Sequence, residues 1–125
     1  MIKGNQLTSE IIASAIEVHR HLGPGLLEST YEECMAFELL ERKLVVQRQH
    51  EIPVLYKGNK LEQNYRIDLL VNNQVIIELK SIKNIEPIHD AQLLTYLKLA
   101  NIRYGLLLNF NVPVMRQGIK RILNG

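Results

Sequence analysis

The stretch Tyr65-Arg66-Ile67-Asp68-Leu69-Leu70-Val71-Asn72-Asn73-Gln74-Val75-Ile76-Ile77-Glu78-Leu79-Lys80 decides how this chain folds. Two runs of strand-forming residues flank Asn72-Asn73-Gln74, and successive side chains of a strand point to opposite faces. Two antiparallel registers compete. A two-residue loop pairs Val71 with Gln74 and Asp68 with Ile77, which mixes charged and apolar residues on each face, and a half-buried sheet does not tolerate that. A three-residue loop pairs Val71 with Val75, Leu69 with Ile77 and Ile67 with Leu79. One face then reads Ile67, Leu69, Val71, Val75, Ile77, Leu79, all apolar. The second register is therefore expected, and Asn in the loop supplies the left-handed backbone that such loops need.

The register has a chemical consequence. On the opposite face Asp68 lies across from Glu78, their Cβ atoms about 5 Å apart, with Lys80 roughly 7 Å further along the strand. Leu70 and Ile76 share this face, so a covering helix is expected there too. Two facing carboxylates in partly apolar surroundings repel unless something positive lies between them. An oxygen-preferring divalent cation, Mg²⁺ or Mn²⁺, resolves the repulsion, with the Lys80 ammonium close by. The alternative is an edge-strand ion pair between Lys80 and one of the acids.

Working outward, residues 8–22 place Ile11, Ile12, Ala15, Ile16, His19 and Leu22 at helical spacing, with Thr8 or Ser9 as cap. Gly23-Pro24-Gly25 ends this helix. A second helix is expected from near Gly25 to about Lys43, with Leu27, Tyr31, Met35 and Leu39 four residues apart. Residues 45–56 and 61–71 read as strands joined by a turn at Lys57-Gly58-Asn59-Lys60, and residues 75–80 as a third strand. Pro87 suits the first turn of a helix to about Ala100. Tyr104 to Phe110 is an apolar strand, and Val114 to Leu123 closes the order ααβββαβ(β). One domain over residues 1–125 is expected, of α/β (α+β) class with a mixed sheet flanked by helices.

At 46% hydrophobic and 22% charged residues, the composition excludes disordered and collagen-like chains. A single cysteine, Cys34, cannot form an internal disulfide, so a reducing compartment is expected. No signal peptide and no apolar run of membrane-spanning length are present, so a soluble cytoplasmic protein is the expectation. Residues 1–41 carry seven acids and two bases, whereas residues 42–125 carry thirteen bases and six acids. An anionic partner would be drawn to the second part, although a mixed solvated surface explains the same distribution. Lys83, Arg116, Lys120 and Arg121 are candidates to track a phosphate backbone.

Asp68 followed ten residues later by Glu78-Leu79-Lys80 resembles the core of the PD-(D/E)XK nuclease superfamily. Gly25-Leu26-Leu27-Glu28-Ser29-Thr30-Tyr31 resembles the signature of the GxxExxY protein family, as do Leu22-Gly23-Pro24-Gly25, the run His89 to Leu97, and Leu108-Asn109-Phe110. The likeness covers roughly residues 8–124. Ile67 stands where the superfamily name has Pro. The resemblance implies a restriction-endonuclease-like core and hydrolysis of phosphodiester bonds in DNA. In that reading Asp68, Glu78 and the Leu79 backbone carbonyl hold Mg²⁺ or Mn²⁺, and Lys80 orients water or stabilises growing charge. Glu28 either completes the metal shell or caps its helix. Tyr31 shares its helix face, and packing is the competing role.

On the helix after Pro87, His89, Gln92 and Tyr96 fall within about 60° of one another. Such a stripe either lines a site or forms a structural network. By resemblance Gln92 and Tyr96 match a QxxxY motif that contacts phosphate or nucleotide, and His89 is a candidate donor to phosphate. A non-catalytic module that binds nucleic acid or a protein partner is the alternative function. A homodimer or a protein partner would widen the small contact surface.

Overall fold

The computed structural model describes residues 2–125 as a mixed five-stranded sheet with helices on both faces. Helices α1 (Gly4–Leu22) and α2 (Glu28–Glu41) precede strands β1 (Val46–Tyr56), β2 (Asn59–Val71) and β3 (Val75–Lys80). Helix α3 (Pro87–Ala100) crosses to β4 (Tyr104–Asn109), and a 3-10 turn (Met115–Gly118) leads into β5 (Ile119–Leu123). The strands lie in sequence order, all neighbours antiparallel except β3 and β4. A parallel pair needs a crossover of a dozen or more residues, and α3 supplies it. This is the α+β architecture expected of a restriction-endonuclease-like core.

β2 and β3 pair as the apolar pattern requires from the loop outward, Val71 with Val75, Leu70 with Ile76 and Leu69 with Ile77, but the expected pair Ile67–Leu79 does not form, because the Asp68 carboxylate takes the Leu79 N–H. Asn72 and Asn73 hold φ of 51° and 52°, and the Gln74 N–H donates to the Val71 carbonyl at 2.9 Å. Polar short side chains tolerate this left-handed backbone where a β-branched residue would not. β3 and β4 are covered on both faces, which is why each reads as a nearly unbroken apolar run. Leu69, Val71, Val75, Ile77, Leu79, Leu106 and Leu108 pack with Leu7, Ile11, Ala15, Tyr31, Met35 and Leu39 from α1 and α2. Leu70, Ile76 and Leu107 pack with Leu93 and Leu97 of α3. Gly105 permits that second contact, because a Cβ there would lie 3.0 Å from the Leu97 side chain.

Four further expectations are corrected. α1 begins at Gly4, and Thr8 sits buried inside it with its hydroxyl donating to the Asn5 carbonyl, so neither Thr8 nor Ser9 is the cap. α2 begins at Glu28, so Leu27 precedes the helix and stays 73% exposed instead of joining the apolar stripe. Residues 114–118 form the 3-10 approach, and only Ile119–Leu123 pair with β4. Ile67 packs not with Leu69 but with Leu70 and Ile76 on the α3 side. Gln49, between the pairs Arg48–Leu69 and His50–Ile67, has φ 48°. The β1 backbone opposite Asp68 is thus locally distorted without a shift in register.

Candidate functional site

The β2–β3 ladder stops at Leu69–Ile77, and the next residue on each strand is an acid, Asp68 and Glu78. Beyond that point the Asp68 carboxylate takes a ladder position itself, accepting the Leu79 N–H at 2.8 Å. Glu78 is only 8% exposed, and its buried Oε1 has no hydrogen-bond partner among the described residues. Burial first, then the neighbouring Asp68 charge, push the Glu78 carboxyl up to about 9, with Lys80 pulling the other way. Between an ordinary carboxylate value and about 9, the folded protein therefore keeps a proton that the unfolded chain releases. Stability of the metal-free protein should fall as pH rises through that window, by at most about 1.4 kcal/mol per pH unit. Thermal melts from pH 5 to pH 9 in a chelator test this slope, and Glu78→Gln should flatten it.

Lys80 enters no ion pair among the described residues, and β3 is the central strand, so the edge-strand ion pair is not what forms. Its backbone is fixed from two sides. The Lys80 carbonyl accepts the Phe110 N–H at 2.9 Å. At the next residue, the Ser81 N–H donates to Glu28 Oε2 at 3.0 Å and the Ser81 hydroxyl to the Leu26 carbonyl at 2.7 Å. Asn109 brackets the following loop, exchanging bonds with the Ile82 N–H and carbonyl at 3.1 and 2.9 Å. The amine is thus carried on an anchored strand end.

Glu28 is the first residue of α2, where an acid suits the helix dipole, and its carboxylate is engaged by Ser81. Among the described residues no group of three His, Cys, Asp or Glu side chains could hold a metal. Tyr31 is fully buried, stacked on Phe110 at 4.3 Å between ring centroids. Its hydroxyl donates to the Gly23 carbonyl at 2.6 Å and accepts the Leu26 N–H at 3.1 Å. Tyr31 therefore ties down the Gly23-Pro24-Gly25 turn from the core. His89 helps to start α3: its Nδ1 accepts the Glu86 N–H at 2.8 Å, and the Glu86 side chain accepts the His89 backbone N–H in return, which leaves the ring proton on Nε2 outside the cap. Gln92 is exposed, and Tyr96 is half-buried with its ring 6.0 Å from that of Tyr65.

Sequence reading passed over four contributors. Glu32 is buried on α2, paired with Arg48 at 3.0 Å and bonded by the Gln49 side-chain amide, which also reaches Asp68 Oδ1 at 3.3 Å. The available signal was an acid interrupting the apolar positions Tyr31, Met35 and Leu39. Gln49, Ser81 and Tyr65 carried none, because their partners are distant in sequence.

Two carboxylates side by side, Asp68 half-buried and Glu78 buried with an orphaned oxygen, form an oxygen donor set that suits a hard divalent cation. Mg²⁺ retains several waters and is held by one or two carboxylates together with substrate phosphate, so a third protein acid is not required. A family model described as the PD-(D/E)XK nuclease superfamily matches residues 5–122. The crystal structure of SSO0001 is similar in fold, with a TM-score of 0.51 at 18% identity over 94% of this chain and 77% of that one. No curated protein matches the chain. With the acid pair at the end of the β2–β3 ladder, the lysine two residues on, and a match spanning nearly every residue, the chain belongs to the PD-(D/E)XK nuclease superfamily.

Proposed function

We propose that this protein is a divalent-metal-dependent nuclease hydrolysing phosphodiester bonds in DNA. The observation that carries the reading is the buried Glu78 oxygen without a partner, beside Asp68 and two residues from an unpaired Lys80. Asp68, Glu78 and the Leu79 carbonyl are the groups that would hold Mg²⁺ or Mn²⁺. Such an ion, when bound, polarises the scissile phosphate and lowers the pKa of water. The chain's own residues supply the rest. Asp68, fixed by the Leu79 N–H and Gln49, keeps its second oxygen oriented. Lys80 places a positive charge where negative charge grows on phosphate oxygens, and its anchored backbone means little reorganisation is needed. Lys83, Asn109 and Gln117 line a groove of about 480 Å³ at the same end of the sheet, where they can meet a phosphate backbone; Lys120, also in its lining, is ion-paired with Asp90.

The test is titration of Mg²⁺ or Mn²⁺ by calorimetry into the wild type and Asp68→Ala. A binding heat in the wild type that is lost in the variant is expected. Because Glu78 must give up its proton to ligate, the wild-type heat should also change with the ionisation enthalpy of the buffer. Equal heats for both proteins would remove the metal from the site. Cleavage of single- and double-stranded DNA with each metal then separates a nuclease from a module that binds without cutting.

A further inference from the structure

Beside the acid pair lies a second feature that the chemistry of hydrolysis does not use. Val54 and Tyr65 on the β1–β2 arm face Ile88, Ala91, Gln92, Thr95, Tyr96 and Leu99 on α3 across a groove of about 450 Å³. Tyr65 is 44% exposed and its ring is tilted 37° to that of Tyr96. Tyr65 lies on the strand that carries Asp68, and the Tyr96 hydroxyl is within reach of the Glu78 and Asp68 charges. Tyr65 precedes Asp68 by three residues, about 10 Å along the strand. The Tyr96 hydroxyl is pushed up by burial first and then by the charges of Glu78, Tyr65 and Asp68.

The lining holds no lysine or arginine, so the groove suits a flat base and not the phosphate backbone of either a single or a double strand. An intact duplex also shows its base edges, while the ring faces stay within the stack. Unpaired bases are the opposite case. They offer flat apolar faces, every base has one, and aromatic side chains are the platform that recognises them. Gln92, exposed at the rim, adds an amide able to hydrogen-bond a base edge.

We infer that this groove stacks an unpaired nucleobase on Tyr65 and Tyr96 next to the scissile phosphate, so that the substrate is a single strand or a frayed junction instead of a closed duplex. The inference rests on the nuclease reading for the position of the phosphate. Tyr65 is here a substrate-contacting residue that sets strand specificity.

Anisotropy titrations without divalent metal test it, using labelled oligo(dT), oligo(rU) and a duplex of the same length. The wild type should bind the single strand more tightly than the duplex. Tyr65→Ala should weaken strand binding by about 5- to 150-fold, the equivalent of one stacked base. Tyr65→Phe, which keeps the ring, should retain the affinity, and duplex binding should hardly change in either variant. A loss with oligo(dT) and oligo(rU) alike supports a contact to the base, and a loss with one of them supports stacking confined to that nucleic acid. No strand binding, no effect of Tyr65→Ala, or an equal loss on strand and duplex overturns the inference. Metal-dependent cleavage is scored separately. Cleavage that ignores Tyr65→Ala retires the stacking and keeps the nuclease; strand binding that needs Tyr65 without any cleavage does the reverse.

Discussion

Asp68→Asn is expected to reduce metal-dependent DNA cleavage by at least about a thousandfold while leaving the fold intact. A metal ion at such a site supplies several kcal/mol of transition-state stabilisation, and each 1.36 kcal/mol is tenfold in rate. Asn is the informative replacement because its side-chain oxygen can still accept the Leu79 N–H that Asp68 holds at 2.8 Å. Alanine would leave that donor unsatisfied and add a stability loss of about 1–3 kcal/mol to the result. Above about pH 9, where Glu78 gives up its proton, removing the Asp68 charge relieves its repulsion with Glu78. The thermal midpoint of metal-free Asp68→Asn should therefore stay close to that of the wild type near neutral pH and exceed it above about pH 9. Cleavage rates at saturating Mg²⁺ or Mn²⁺, with circular-dichroism melts, check both halves. Retention of more than about a tenth of the rate would take Asp68 out of the chemistry.

Tyr31→Ala is expected to cost about 3–5 kcal/mol of stability, the range for deleting a buried aromatic side chain. For a chain of this size that lowers the melting midpoint by roughly 10–25 °C. The ring is 0% exposed, stacks on Phe110 and fills the space between α2 and the end of β4. Tyr31→Phe separates packing from hydrogen bonding. It keeps the stack and removes only the bonds to Gly23 and Leu26, at a cost of about 1 kcal/mol. Leu26 also receives the Ser81 hydroxyl, so the same turn buttresses the strand end that carries Lys80. Tyr31→Phe should therefore lower the cleavage rate with little change in metal affinity, a pattern read from melts, calorimetry and kinetics on one preparation. An unchanged rate would confine Tyr31 to packing.

Much of the sheet was legible because period-two apolarity leaves one tolerable register. Slipping the Tyr65–Lys80 hairpin by one residue would bury Asp68 or Glu78 among leucines, and Asn72-Asn73 tolerates the backbone that the correct loop demands. Pro87 marked the start of α3 through its fixed φ and missing donor. The start of α1 was missed because Lys3, its cap residue, makes no side-chain cap hydrogen bond, while Thr8 resembles a cap and instead bonds backward inside the helix. His19 had no visible partner in the sequence; its Nε2 donates to the Val112 carbonyl at 2.8 Å, ninety-three residues away.

By itself the amino-acid order determined that Asp68, Glu78 and Lys80 come together, because they sit on one hairpin and its continuation, whose loop length fixes the pairing from Val71–Val75 to Leu69–Ile77. Only the tertiary structure decided what surrounds them. Glu28 goes to the Ser81 N–H, Glu32 to Arg48 and Gln49, His89 to the cap of α3, and Tyr65 swings beside Tyr96. Each of these depends on how α2, α3 and the β1–β2 arm dock on the sheet. Docking is fixed by side-chain volumes summed over the two cores, and no local pattern records that sum.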